Sequence, residues 1–120
     1  MPGRRLKGKQ LETPLVADVS SSETTGITAG TTQTQNGATA LTKSINVVST
    51  CANSGDGVKL PSGANILVCE IYNDGAQPLK MWPASGQNFI GSASNAACPT
   101  LLPSTEWVRF RYVGSEWRNN

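Results

Sequence analysis

Ile66-Leu67-Val68-Cys69-Glu70-Ile71-Tyr72-Asn73-Asp74-Gly75 is the stretch that decides the fold class. An apolar run this short, rich in β-branched and aromatic side chains, predicts a strand rather than a helix. Its near-continuous apolar character predicts that both of its faces are covered. Asn73-Asp74-Gly75 is turn chemistry, and it predicts a hairpin that returns through Leu79–Trp82. Turn signals of the same kind recur at Gln35-Asn36-Gly37, Gly55-Asp56-Gly57, Pro61-Ser62-Gly63, Ala84-Ser85-Gly86 and Val113-Gly114-Ser115. Such regular punctuation between short apolar runs points to an all-β protein, a small antiparallel β-sandwich or β-barrel of jelly-roll-like character.

Further strands follow from alternation and composition. In Trp107–Val113, Val108, Phe110 and Tyr112 share one face and Trp107, Arg109 and Arg111 the other, so the first set is assigned to the core. Gly114-Ser115 returns the chain into Glu116–Arg118. Gly57 opens and Pro61 closes a short strand over Val58–Leu60. Ile45–Thr50 is β-branched and reads as a strand, although Leu41, Ile45 and Val48 also fit helical spacing. Thr31–Gln35 is expected as an edge strand, Asn88–Gly91 as a short one, and Ala93–Pro103 as a loop with at most one strand near Leu101-Leu102. No internal repeat is visible at a fixed period.

The chain has 120 residues, of which 38% are hydrophobic, 6% aromatic and 15% charged. That allows one small domain with a thin core and a surface of uncharged polar side chains. The domain is placed at residues 27–120, preceded by an extended N-terminal arm, residues 1–26. Pro14 interrupts any helix there, and Ser20–Gly26 reads as a flexible or extended linker. Arg4, Arg5, Lys7 and Lys9 make the first ten residues basic, while residues 11–120 carry six basic and eight acidic side chains. The basic start is either a solvated tail or an electrostatic tether. Leu6, Leu11, Leu15 and Val19 give the arm apolar contacts, and alternation through Leu15, Ala17 and Val19 suits addition to a neighbouring sheet edge. Four charges without interleaved aromatics make a poor nucleic-acid site. No stretch approaches the roughly 18 apolar residues of a membrane helix. No apolar run follows the basic start, so a secretory signal is not expected.

No histidine occurs, which removes a Ser/His/Asp or Cys/His relay and the usual base near neutral pH. Asp56 and Asp74 lie beside glycines and read as turn residues. Glu70, alone in an apolar strand, reads as a mark of a subunit interface or a protected sheet edge rather than a catalytic acid. No cofactor or metal is expected, since the acids are not clustered as a calcium loop needs. Cys51, Cys69 and Cys98 lack metal-ligand spacing. They read as small buried hydrophobes, with one disulfide left open. Trp82, Trp107 and Trp117 serve either packing or sugar stacking. Trp107, sharing a face with Arg109 and Arg111, is the candidate for exposure as an oligomer interface or ligand face.

Taken in order, Gly55-Asp56-Gly57-Val58-Lys59-Leu60-Pro61, Ile71-Tyr72-Asn73-Asp74-Gly75, Leu79-Lys80-Met81-Trp82-Pro83-Ala84-Ser85-Gly86, Ile90-Gly91 and Gly114-Ser115-Glu116-Trp117-Arg118 form a pattern. Over roughly Thr32 to Arg118 the chain resembles a small β domain of tailed-bacteriophage virion proteins, among them head decoration (cement) proteins, head fibres and some tail fibres. The resemblance implies a non-enzymatic virion structural protein forming a homotrimer. The leading expectation is a decoration protein on the outer capsid surface, made in the bacterial host cytoplasm and binding the major capsid protein through its arms. The alternative is a glycan-binding fibre module. The shared positions look like turn and core determinants, so no functional residue carries over.

Overall fold

The computed structural model describes residues 22–119, and these residues form eight strands and no helix. In chain order the strands are β1 (Glu23–Thr28), β2 (Thr39–Ala40), β3 (Ile45–Thr50), β4 (Gly57–Lys59), β5 (Val68–Asn73), β6 (Lys80–Trp82), β7 (Glu106–Val113) and β8 (Glu116–Asn119). The arm residues Arg4, Arg5, Leu6, Lys7, Lys9, Leu11, Leu15 and Val19 lie outside the described residues. The boundary expected at residue 26 falls within β1, whose Glu23 and Thr24 register with Ile45 and Asn46 of β3.

The protein is all-β, but it is neither a closed barrel nor an antiparallel sandwich. A five-stranded sheet has the order β1-β3-β5-β7-β8, and a three-stranded sheet the order β2-β4-β6. The pairs β1–β3, β3–β5, β2–β4 and β4–β6 are parallel, and only β5–β7 and β7–β8 are antiparallel. Through β6 the chain crosses from one sheet to the other after every strand. It thus winds as three stacked turns, each giving one strand to each sheet. β1, β3 and β5 begin at residues 23, 45 and 68, intervals of 22 and 23 residues. The structure therefore contains a repeat where none was expected from the sequence. The repeat is one of backbone path: side chains in register differ widely, as in Glu23, Ile45 and Glu70.

The expected hairpin between Ile66–Tyr72 and Leu79–Trp82 does not form. β6 registers with β4 in the other sheet, Val58 opposite Met81. Asn73-Asp74-Gly75 is a corner. The Asn73 side chain accepts from Gly75 N at 2.9 Å and donates to the carbonyls of Gln77 and Leu102, both at 2.9 Å. Asp74 N donates to Val48 O at 2.8 Å, fixing the corner to the previous turn of chain. A side chain at Gly75 would sit 2.5 Å from Cys51 N, so the close approach of two turns requires glycine here. The hairpin that does form is β7–β8. Gly114 and Ser115 both have positive φ, 63° and 64°, as a two-residue type I′ turn demands.

Thr31–Gln35 is not a strand. Gly30 bridges Gly57 through two backbone hydrogen bonds, after which Gln33 donates to Ser54 O at 2.9 Å and to the Asp56 carboxylate at 3.1 Å. The polar side chains of this segment thus serve a loop over the next corner. Asn88–Gly91 contributes only a bridge, Phe89 to Trp117, and Leu102 pairs with Leu79 within the 93–103 loop. The expected strands at Ile45–Thr50, Val58–Leu60, Trp107–Val113 and Glu116–Arg118 are present within one or two residues.

The core lies between the two sheets. Val48, Cys69, Ile71 and Phe110 from the larger sheet meet Val58 and Met81 from the smaller, with Leu60, Leu79, Phe89 and Trp117 completing it. β5 alternates between buried Cys69, Ile71 and Asn73 and half-buried Val68, Glu70 and Tyr72. One of its faces is sealed, and the other is shielded only by its neighbours, not covered on both sides as its apolar run predicted.

Candidate functional site

β7 carries the expected alternation. Phe110 is buried and Val108 and Tyr112 half-buried on the inner face, while Trp107, Arg109 and Arg111 are exposed on the outer face. The antiparallel register with β5 places Tyr72 opposite Trp107, Glu70 opposite Arg109 and Val68 opposite Arg111. On the other side β8 places Arg118 opposite Arg111 and Glu116 opposite Val113. The outer face of the larger sheet is therefore an open surface of two rings and three guanidinium groups.

Trp107 is 56% exposed, and its ring lies 4.8 Å from that of Tyr72 at 43°. This tilted contact steadies a large ring at the surface. Arg109 reaches Glu70 at 3.4 Å, and Arg118 reaches Glu116 at 3.2 Å while donating to Val113 O at 3.1 Å. Such exposed pairs fix side-chain positions more than they add stability. The Arg111 guanidinium has no hydrogen bond or ion pair among the described residues.

All four residues expected at an interface or ligand face, Glu70, Trp107, Arg109 and Arg111, are thus brought together. The edge reading of Glu70 is corrected. β5 is the middle strand of five, and Glu70 stands directly opposite a cation rather than guarding a free edge.

The tryptophans divide. Trp117 is fully buried, and its Nε1 donates to Gln87 Oε1 at 3.2 Å. Trp82 is half-buried with Lys80 Nζ 5.5 Å over its ring. Of the three, only Trp107 is mostly exposed.

All three thiols are free. Burial, with Glu70 adding a smaller push, raises the Cys69 pKa to about 12. Burial and then Asp56 raise that of Cys51. Both remain protonated near neutral pH and behave as small core residues. Asp56 is a buried turn residue whose carboxylate accepts from Asn53 N at 3.1 Å and from Gln33. Among the described residues no group of three or more His, Cys, Asp or Glu side chains could hold a metal ion.

The sequence reading missed one cavity. About 170 Å³ opens between the 98–103 loop and β7, lined by Met81, Cys98, Leu101, Leu102, Val108 and Phe110 among others. Pro99 and Pro103 were its only sequence signal, and between them Leu102 still bridges Leu79. Its lining is mostly apolar, with Thr100, Glu106 and Asn119 at its polar positions.

No protein-family model, curated protein or solved structure matches this chain.

Proposed function

We propose that this chain is a non-enzymatic structural protein of a tailed-bacteriophage virion, a decoration (cement) protein that binds the outer shell as a homotrimer. The observation that carries the reading is the resemblance over roughly Thr32 to Arg118. Its residues fall at the corners and core of a body whose chemistry is otherwise confined to one surface. Asp56, Asn73 and Gly75 fix corners, and Leu60, Ile71, Met81 and Trp117 fill the core.

The arm supplies the attachment. Arg4, Arg5, Lys7 and Lys9 meet acidic patches on the major capsid protein, and Leu6, Leu11, Leu15 and Val19 add apolar contact. Three arms on one trimer bind through effective concentration, so each needs only modest affinity. Ordering the arms on the shell costs part of that gain. Neither nucleic acid nor membrane is a partner in this reading.

The test is deletion of residues 1–19. Sedimentation velocity reports the trimer, and co-sedimentation with undecorated shells reports occupancy. Trimers that persist while occupancy falls to background support the reading. Undiminished occupancy removes the tether, and a monomer removes the avidity on which it depends.

A further inference from the structure

The outer face of β7 and β8 carries a juxtaposition that attachment by the arm does not use. Arg111 and Arg118 stand directly opposite each other on adjacent strands. Like charges in that relation are destabilising unless something lies between them. Arg118 leans away to Glu116 and to the Val113 carbonyl. The Arg111 guanidinium has no partner among the described residues. On the same strand and face Trp107 holds an exposed ring already ordered by Tyr72. Alternate residues of a strand are roughly 6.7 Å apart, so ring and free guanidinium are separated by roughly 13 Å along an open, shallow surface.

We propose that this ribbon binds an acidic oligosaccharide, with a sugar ring stacked on Trp107 and a carboxylate taken by Arg111 with help from Arg118. A planar guanidinium matches a carboxylate in a two-point fork. The aromatic platform requires only the apolar face of a sugar ring, so it tolerates many sugars while the arginines select the charged ones. An anion seated between Arg111 and Arg118 also removes their repulsion.

The same residues are a poorer match for nucleic acid. Glu70 occupies the face beside Arg109. Residues 22–119 carry six cations and six carboxylates, so the body offers no long-range attraction to a polyphosphate. A chain with its carboxylates spaced by sugar rings asks for fewer neutralising contacts.

The experiment titrates the full chain with an oligogalacturonate, with a neutral maltooligosaccharide of equal length and with an oligo-dT. Tryptophan fluorescence and calorimetry are the readouts. The oligogalacturonate is expected to bind and quench, and the neutral sugar to bind far more weakly. Arg111→Gln is expected to weaken binding about tenfold. Trp107→Ala should abolish both binding and the quench, while Lys59→Gln, on the other sheet, leaves them unchanged. No oligogalacturonate binding at millimolar concentration overturns the proposal. Tighter binding of oligo-dT through Arg111 and Trp107 overturns it in favour of nucleic acid. Loss of self-association in Trp107→Ala or Arg111→Gln overturns it in favour of a subunit interface. The sugar-binding outcomes do not bear on shell occupancy, which is read through the arm, whereas loss of self-association would also remove the trimer's avidity.

Discussion

At the scale of single residues, Trp117 holds the body's last strand in place. Its ring is fully buried 5.1 Å from that of Tyr112, and its Nε1 shares Gln87 Oε1 with Gly63 N. Its backbone bonds the 88–90 loop in both directions. Trp117→Ala is expected to cost about 3–5 kcal/mol, measured by urea unfolding, because packing and a network are lost together. Trp107→Ala, at an exposed site, should cost far less, within about 1 kcal/mol. The thiols give a pH prediction. The Cys69 pKa rises from an ordinary 9.0 to about 12 on folding, so the native state holds a proton that the unfolded chain gives up. The resulting stability is fully present below about pH 9 and is lost as pH climbs toward 12. Tm should fall between pH 9 and 11, and fall less steeply in Cys69→Ala. At pH 8 the half-buried Cys98 is expected to react with an aromatic disulfide reagent before Cys51 and Cys69, which need unfolding first. The role of β7 was legible at this scale because alternation alone separates Val108, Phe110 and Tyr112 from Trp107, Arg109 and Arg111. That of Trp117 was not, because burial of one ring among three depends on where distant loops lie.

At the scale of elements, β3 to β8 were legible and β1 and β2 were not, and of the pairings only the β7–β8 return was. Composition marks Ile45–Thr50 and Ile66–Tyr72 as extended, since β-branched and aromatic side chains fit a pleated surface in either pairing direction. Pairing direction is set by what the turns do. Asn73-Asp74-Gly75 has hairpin chemistry, yet the Asn73 side chain takes the hydrogen bonds that a returning strand would otherwise claim. Those acceptors lie at Gln77 and Leu102, and no local pattern shows the second. The corner at Asn53–Asp56 works the same way through a buried carboxylate. Asp56→Ala would leave Asn53 N without its acceptor and the Gln33 amide with only Ser54 O. It is expected to destabilise the fold by about 1–3 kcal/mol in thermal or urea unfolding. Asp74→Ala, one corner later but exposed, should change little. Comparable losses at both positions would show that charge near a turn, rather than the buried hydrogen bonds, secures these corners.

At the scale of the molecule, the architecture is a stack with a lid at one end. Three turns of chain pile β1 on β3 on β5, and the antiparallel pair β7–β8 closes the β5 side. At the other end β1 has one neighbour and is mostly exposed. Stability should therefore be graded along the stack. Each interior turn is buried against two others, as in repeat proteins, where neighbour contacts supply most of the cohesion. β5 lies between β3 and β7 and delivers Cys69, Ile71 and Asn73 to the interior. Its opening requires loss of the core, whereas β1 can detach at the cost of one parallel ladder and the partly buried Ile27. Native-state hydrogen exchange is expected to show the slowest amides in β5, intermediate ones in β3 and the fastest among the strands in β1. If the proposed attachment to a shell through residues 1–19 holds, shell binding should slow β1 most, because β1 begins at Glu23. Equal protection of β1 and β5 in the free protein would mean that the turns open as one unit rather than in order along the stack.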